Sequence, residues 1–388
     1  MKIGILTFHK PINYGAFLQA FALSSKLKSE FPDATIEIID YIAPKEQLKI
    51  LINVLWGIKH FGIFNCFKDI QRIKAFRKSL SFLPLSKNRF ISSNLNSLYS
   101  FIDSHYDLLI IGSDAVFNWN QNGFPSAFIP NYRFKKCKVI TYAVSIHGLR
   151  YKEQPDEYIK ICSECFSNMK FISVRDKNTE IFVNTCNSKM KAIHSCDPTL
   201  FINLKETVNA AGQYHKRIEK KYNISLEEEY IVLMMPDNIL TKEITRRFKD
   251  KYLFLSLNNP SKYTDCYLYD LTPFEWAMVL SKAKLVVTSF FHGALLSFIQ
   301  NTPTIVIDFS KYNTDCYEGK LKDLLYTRLE LPELYFDFSY AESWPSIDYI
   351  FKVMEQAVNR AFNQRIKEGI LKEAITSKRF FEMIRCIK

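Results

Sequence analysis

Glycine is scarce, 11 of 388 residues, and none of them forms part of a G-x-G-x-x-G or G-x-x-x-x-G-K-[ST] array. Those arrays let backbone wrap a diphosphate, so the standard dinucleotide-binding and P-loop readings lose their support. No D-x-D pair is present. A metal held on a nucleotide diphosphate needs such carboxylates, so a metal-dependent nucleotide-sugar transferase is disfavoured, and neither metal nor cofactor is expected. No apolar run is long enough to span a bilayer. The nine cysteines are odd in number and irregularly spaced. Cys162 and Cys165 make one C-x-x-C without the second pair that a zinc site needs, so buried free thiols are expected. Met1–Phe8 reads as a strand, not as a basic n-region with a cleavage site, and the expected location is the cytoplasm, including the inner face of the membrane.

What is present is ordinary in bulk: 47% hydrophobic and 24% charged residues, typical of a globular protein. Phe (32) and Tyr (21) are abundant and suit aromatic-rich α/β packing. The net charge of +12 calls for an acidic partner: a phosphorylated substrate, an anionic membrane surface or nucleic acid.

The most informative stretch is Lys284–Asp308, KLVVTSFFHGALLSFIQNTPTIVID. Leu285–Thr288 is a short β-branched run typical of a buried parallel strand, Ala294–Ile299 has helical spacing, and Thr304–Ile307 is a second strand. In such a βαβ unit the first loop lies at the carboxyl edge of the sheet, where helix N-termini attract anions. Ser289, His292 and Gly293 fall there. Histidine can donate a hydrogen bond or a proton to phosphate, and glycine allows close backbone approach. The plain alternative is a histidine packed beside Phe290 and Phe291.

Earlier in the chain, Ile3–Phe8 is a strand followed by HKPINYGAFLQAFAL, a loop with Asn13, Tyr14 and Gly15 at its tip and then an amphipathic helix; Glu37–Tyr41 is the next strand. That opening is half of a doubly wound fold. Asn13 could equally satisfy its own loop backbone. Lys49–Leu85 breaks the rhythm with apolar, aromatic and basic residues and reads as an inserted pair of amphipathic helices, packed on the domain or lying on an anionic membrane. Strand Leu108–Ile111 runs into Gly112-Ser113-Asp114, whose carboxylate could serve as a base or bind sugar hydroxyls, or cap the next helix. Strand Val139–Ala143 leads to Ser145 and His147, and Phe171–Val174 ends at Arg175, placed to fork two oxygens of an anion or to pair with Asp176. The expected domains are 1–205, with a helical insertion at about 45–100, a linker at 206–228, a second domain at 229–345, and C-terminal helices at 346–388 packing back on the first domain.

NYGAFLQAFAL, LLIIGSDAVFN, ITYAVSIHG, ISVRD, DPTLF and VVTSFFHGALLSFIQNTPTIVI occur in that order. Together they resemble the polysaccharide pyruvyltransferase family from Lys2 to about Leu329. The resemblance implies an α/β fold of two Rossmann-like domains facing a cleft, similar to the GT-B architecture. It implies transfer of pyruvate from phosphoenolpyruvate to a sugar, usually as a cyclic ketal, on a surface-polysaccharide precursor such as a lipid-linked oligosaccharide; nucleic acid is then not expected. By position, Arg175 and His292 match the family's donor-binding and catalytic positions, and Asp114 its G-S-D acid. Many members carry Arg just before the motif's His, where this chain has Phe291; Lys320 falls where relatives often have Arg and is the expected substitute. On this reading Arg175 clamps the donor, His292 binds phosphate, and Asp114 is the acceptor-side base, with either His292 or His147 moving the proton. Two alternatives are a GT-B-like glycosyltransferase using a nucleotide sugar and a non-catalytic phosphoglycan-binding protein.

Overall fold

A computed structural model describes residues 1–187, 190–203, 215–310, 319–340 and 344–387; within these, the side chains of 49–51 and 53–66 lie outside the description. The chain divides into two compact units. The first is Met1–Gly62, Ser79–Phe201 and Ala374–Lys388; the second is Ile63–Lys78 and Ile202–Glu373.

Unit 1 is built on five parallel strands, β1 (Lys2–Leu6), β2 (Thr35–Ile42), β3 (Leu85–Ile91), β4 (Leu108–Ile111) and β5 (Lys138–Thr141). They lie in the order β3-β2-β1-β4-β5. The short parallel pair β6 (Ser173–Val174) and β7 (Ile193–His194) continues beside β5 through single bridges, Ile140 with Phe171 and Val144 with Val174. All four β4 residues are buried, as expected of a central parallel strand covered on both faces. Each fully buried Val, Leu or Ile of this kind contributes about 1.5–3 kcal/mol. Helix α1 (Tyr14–Glu30) follows β1 and buries Phe17, Leu18, Leu23 and Leu27.

Unit 2 repeats the plan with β8 (Tyr230–Met234), β9 (Leu253–Ser256), β10 (Cys266–Tyr267), β11 (Leu285–Thr288), β12 (Thr304–Asp308) and β13 (Tyr335–Asp337). The order is β10-β9-β8-β11-β12-β13, all parallel. β8, β11 and β12 are buried at every position.

Three expectations change. The insertion is one helix, α2 (Pro44–Ser79), not two, and its Ile63–Lys78 part belongs to unit 2. No proline interrupts the run, and Gly57 and Gly62 cost only about 1 kcal/mol each against Ala, too little to break a helix of this length. β3, inside the stretch read as helical, is an edge strand whose Lys87, Asn88 and Arg89 are exposed, so it lacks the alternation that betrays a strand. Finally, the stretch read as a linker contains helical residues 215–222 whose basic side chains are anchors: Lys221 Nζ and Arg217 Nη1 donate to Asp270 at 2.6 and 3.0 Å, and Tyr222 donates to the same carboxylate at 2.5 Å. The remainder of that stretch, 206–214, lies outside the described residues.

Of the C-terminal helices, residues up to Glu373 belong to unit 2, and only Ala374–Lys388 belongs to unit 1. There the Ser377 Oγ receives the Cys196 N–H at 3.0 Å and lies 2.9 Å from the Tyr142 hydroxyl. The Phe380 ring packs edge-on against Tyr142. Cys162 and Cys165 are free and buried, and burial pushes the Cys165 thiol up to about 12, which makes it a poor nucleophile or metal ligand.

Candidate functional site

In unit 1 the polar residues singled out by sequence sit at the carboxyl ends of the strands. Asn13 caps α1, its Oδ1 accepting from the Ala16 N–H at 3.1 Å, so part of its polarity serves the helix start. Tyr14 and Gly15 open the helix itself. After β4, the Ser113 carbonyl accepts from Thr7 Oγ1 at 3.2 Å. The Ser113 hydroxyl is buried with no hydrogen-bond partner among the described residues, a condition that costs free energy unless a ligand or water answers it. Asp114 Oδ1 accepts from the Ala115 N–H at 2.8 Å.

The backbone here is strained. Asp114 (φ 81°), Ala143 (φ 46°) and His147 (φ 28°) all lie in the left-handed region, alongside Gly112 (φ 109°) and Gly148 (φ 74°). Non-glycine residues hold such angles at a cost of about 1–3 kcal/mol each, and they gather at ligand sites. Gly112 is required, because a Cβ there would lie 2.4 Å from the Tyr142 carbonyl oxygen. His147 is held by its own backbone: its N–H donates to Ser145 Oγ at 3.1 Å, and its carbonyl accepts from Asn118 Nδ2 at 2.6 Å.

Arg175 joins these exits. Its Nη1 donates to Asp197 Oδ2 at 2.7 Å, and its Nη2 lies 3.6 Å from Asp114 Oδ1. Gln19 of α1 donates to the same Asp197 oxygen at 2.5 Å. Burial opposes the charge, but Asp197 and Asp114 outweigh it and raise the guanidinium further above its usual range. The strand-exit position that suggested a donor clamp therefore holds a buried ion-pair node, and Arg175 is paired with Asp197, not with the neighbouring Asp176. Asp176 instead caps the next helix through the Thr179 N–H at 2.9 Å. Gln19 and Asp197 were missed as site residues, although each lies in a quoted motif, NYGAFLQAFAL and DPTLF.

In unit 2, His292 is the second residue of the Phe291–Ile299 helix, which has Phe290 at its N-cap and no side-chain cap. A helix start of this kind directs N–H groups and a partial positive charge at whatever stands before it. The His292 ring meets the Phe291 ring edge-on at 5.3 Å, and Lys320 Nζ lies 5.6 Å from the Phe291 ring centroid. The structure thus brings Lys320 beside Phe291, in a cation–π arrangement. Ser289 is tied to β8, its N–H donating to the Met234 carbonyl at 2.9 Å. Gly293 has a packing role: a Cβ would meet Thr288 Oγ1 at 2.8 Å and Met234 Cε at 2.9 Å. It admits the close packing of helix on sheet. Among the described residues, no group of three or more His, Cys, Asp or Glu could hold a metal ion, and no helix is long and apolar enough to cross a membrane.

Two parallel, doubly wound sheets define an α/β protein of two Rossmann-like domains, of the GT-B-like class. Residues 13–311 match the family described as polysaccharide pyruvyl transferase, and the chain belongs to that family. No curated protein matches it. Among solved structures it resembles the UDP-GlcNAc 2-epimerase from Neisseria meningitidis bound to UDP-GlcNAc, with a TM-score of 0.60 at 10% identity over 99% of both chains. The UDP-N-acetylglucosamine 2-epimerase from Rickettsia bellii gives 0.53 at 8%, covering 100% of this chain and 96% of that one. The UDP-GlcNAc 2-epimerase from Methanocaldococcus jannaschii gives 0.51 at 10%, over 92% and 93%. At such identities the likeness is one of fold.

Proposed function

We propose that this protein transfers the pyruvyl group of phosphoenolpyruvate to a sugar of a surface-polysaccharide precursor, forming a cyclic ketal and releasing phosphate. The observation that carries this reading is the family match over residues 13–311. The chemistry asks for cations and a helix start around a donor that bears both carboxylate and phosphate, and for a base near the acceptor. His292 and Lys320 at the start of the Phe291–Ile299 helix suit the donor. Asp114, with Arg175 alongside, suits the base.

Protonation of the donor's methylene carbon makes C2 electrophilic. A sugar hydroxyl adds to C2 and gives its proton to Asp114, and the C2–O bond to phosphate breaks. A neighbouring hydroxyl then closes the ketal, and its proton leaves with the phosphate. His292 supplies the proton to the methylene carbon and binds the departing phosphate. Arg175 is a positioning residue: anchored by Asp197, it holds the Asp114 carboxylate and favours its ionised form. Ser113 and His147 line the acceptor side.

Incubation with phosphoenolpyruvate and a cell-derived lipid-linked oligosaccharide fraction tests the proposal. Phosphate release that depends on acceptor, with a product heavier by one pyruvyl unit, is the expected result. Acceptor-independent release, or turnover of a nucleotide sugar instead, refutes it.

A further inference from the structure

A cavity of about 170 Å³ opens in unit 1 where β5 begins. The Lys138 N–H there donates to the Asp107 carbonyl at 2.9 Å, and the Lys170 N–H donates to the Val139 carbonyl at 2.8 Å. Because β4 and β5 are parallel, this is the end of the sheet away from the exits that carry Asp114 and Arg175. Arg133, Lys135, Lys138 and Lys170 line the cavity, and no acidic residue does. Tyr132 and Phe134, edge-on at 5.0 Å, supply its aromatic part.

The turn that carries these cations is pinned from inside. The Asp103 carboxylate accepts the N–H groups of Lys135, Lys136 and Cys137 at 2.9, 2.8 and 2.9 Å. Burial tends to raise its carboxyl, but the three amides hold it below the ordinary 3.8. Its oxygens are thus spent on backbone. Among the described residues, none of the four cationic side chains that line the cavity has a carboxylate within ion-pair distance. Other lysines of unit 1 are matched: Lys2 by Glu37 at 3.1 Å, Lys10 by Asp40 at 2.7 Å and Lys26 by Glu30 at 2.6 Å. Cys137 and Cys165 also line the cavity; burial pushes both thiols up to about 12, so they stay neutral and add no counter-charge. Like charges around one concavity repel one another and focus a positive potential, which an anion relieves.

We infer that this cavity binds a phosphate group, at a site separate from the chemistry at Asp114 and His292. A phosphate ester brings up to two negative charges and three acceptor oxygens. An arginine fork and lysine point charges are the side chains suited to it. Organic-ligand pockets run to roughly 300–1,000 Å³, so the space is small for a nucleoside and suits a compact tetrahedral anion. A free phosphate or diphosphate ion and the headgroup of an anionic lipid offer the same chemistry. The inference does not rest on the pyruvyl-transfer reading.

Isothermal titration with inorganic diphosphate at physiological salt tests it. The titration is done on Lys320→Met protein, so that the cation of unit 2 does not contribute. Diphosphate should bind, and adding Lys138→Gln and Lys170→Gln should weaken it at least tenfold, the scale of one lost charge-assisted contact. Adding Lys87→Gln and Lys152→Gln instead removes the same charge from exposed positions outside the cavity and should change affinity less than twofold. Sedimentation with phosphatidylglycerol vesicles identifies the source. Retention that falls with the Lys138 and Lys170 pair, but not with the control pair, assigns the cavity to a lipid headgroup. Lost diphosphate affinity with unchanged retention assigns it to a free ion. Equal weakening of diphosphate by both pairs overturns the inference. So does absence of diphosphate binding together with vesicle retention that the cavity pair leaves unchanged.

Discussion

Arg175 and Asp197 form an ion pair of 2.7 Å in which both side chains are 3% exposed. Asp114 lies on the other side of the same guanidinium, 3.6 Å from Nη2. One cation thus serves two carboxylates, and the strained G-S-D turn is tied to the helix α1 through Gln19. Arg175→Ala leaves two buried carboxylates uncompensated. It should lower unfolding free energy by about 3–5 kcal/mol in urea titration. In a cycle with Asp197→Asn the two losses should be strongly non-additive. Full stability with a selective loss of donor affinity would return Arg175 to the role of direct clamp.

His292→Asn should leave the fold intact, since the residue is only half-buried at a helix start. Turnover should fall roughly 100-fold or more, the scale of a lost proton donor. Phe291→Leu touches the same turn without removing a polar group and should cost less than about 1.5 kcal/mol in stability. A fully active His292→Asn enzyme would defeat the assignment.

Lys320, beside Phe291, is expected to supply a cation to the donor. Lys320→Met keeps the apolar stem and removes the ammonium, so KM for phosphoenolpyruvate should rise about tenfold or more, as for loss of a charge-assisted contact. Lys320→Arg should retain most of the affinity. Equal KM values in all three proteins would exclude Lys320 from donor binding.

Burial tends to raise the Asp270 carboxyl, but hydrogen bonds from Lys221 and Tyr222 and the charge of Arg217 outweigh it and hold it below the ordinary 3.8. A depressed carboxylate gives stability that is fully present above the unfolded value and is lost as pH falls through the lower folded one. The gap in unfolding free energy between the wild type and Asp270→Asn should therefore be constant from pH 7 to about 5 and shrink below about 4. A gap unchanged at pH 3 would show that the network contributes nothing through ionisation.

Exposed Leu48, Ile52 and Phe67 on α2 accompany exposed Lys45, Lys68, Lys74, Arg77 and Lys78. We expect the protein to sediment with anionic vesicles and to be released by salt, as for a basic amphipathic surface. Equal behaviour with neutral vesicles would leave α2 as a packing element alone.

The buried strands were legible because a parallel strand covered on both faces must be apolar at every position; LLII, YIVLM, LVVT and TIVID read that way without a structure. The edges were not. β3 carries Ser, Lys, Asn and Arg, and β13 is three residues long, since edge strands are selected to resist further pairing. The basic residues at 217 and 221 looked like solvated linker because their partner, Asp270, lies about fifty positions away.

The sequence by itself determined the parallel α/β class, the strand-exit placement of Asp114, Arg175 and His292, and the family, because each is written in local pattern or short motifs. Only the tertiary structure decided what those side chains meet. It paired Arg175 with Asp197, set Lys320 beside Phe291, gave Gly293 to helix–sheet packing, and set the buried His9 against Asp40. Side chains that meet through different strands share no spacing along the chain, so their chemistry exists only once the strand order has been fixed.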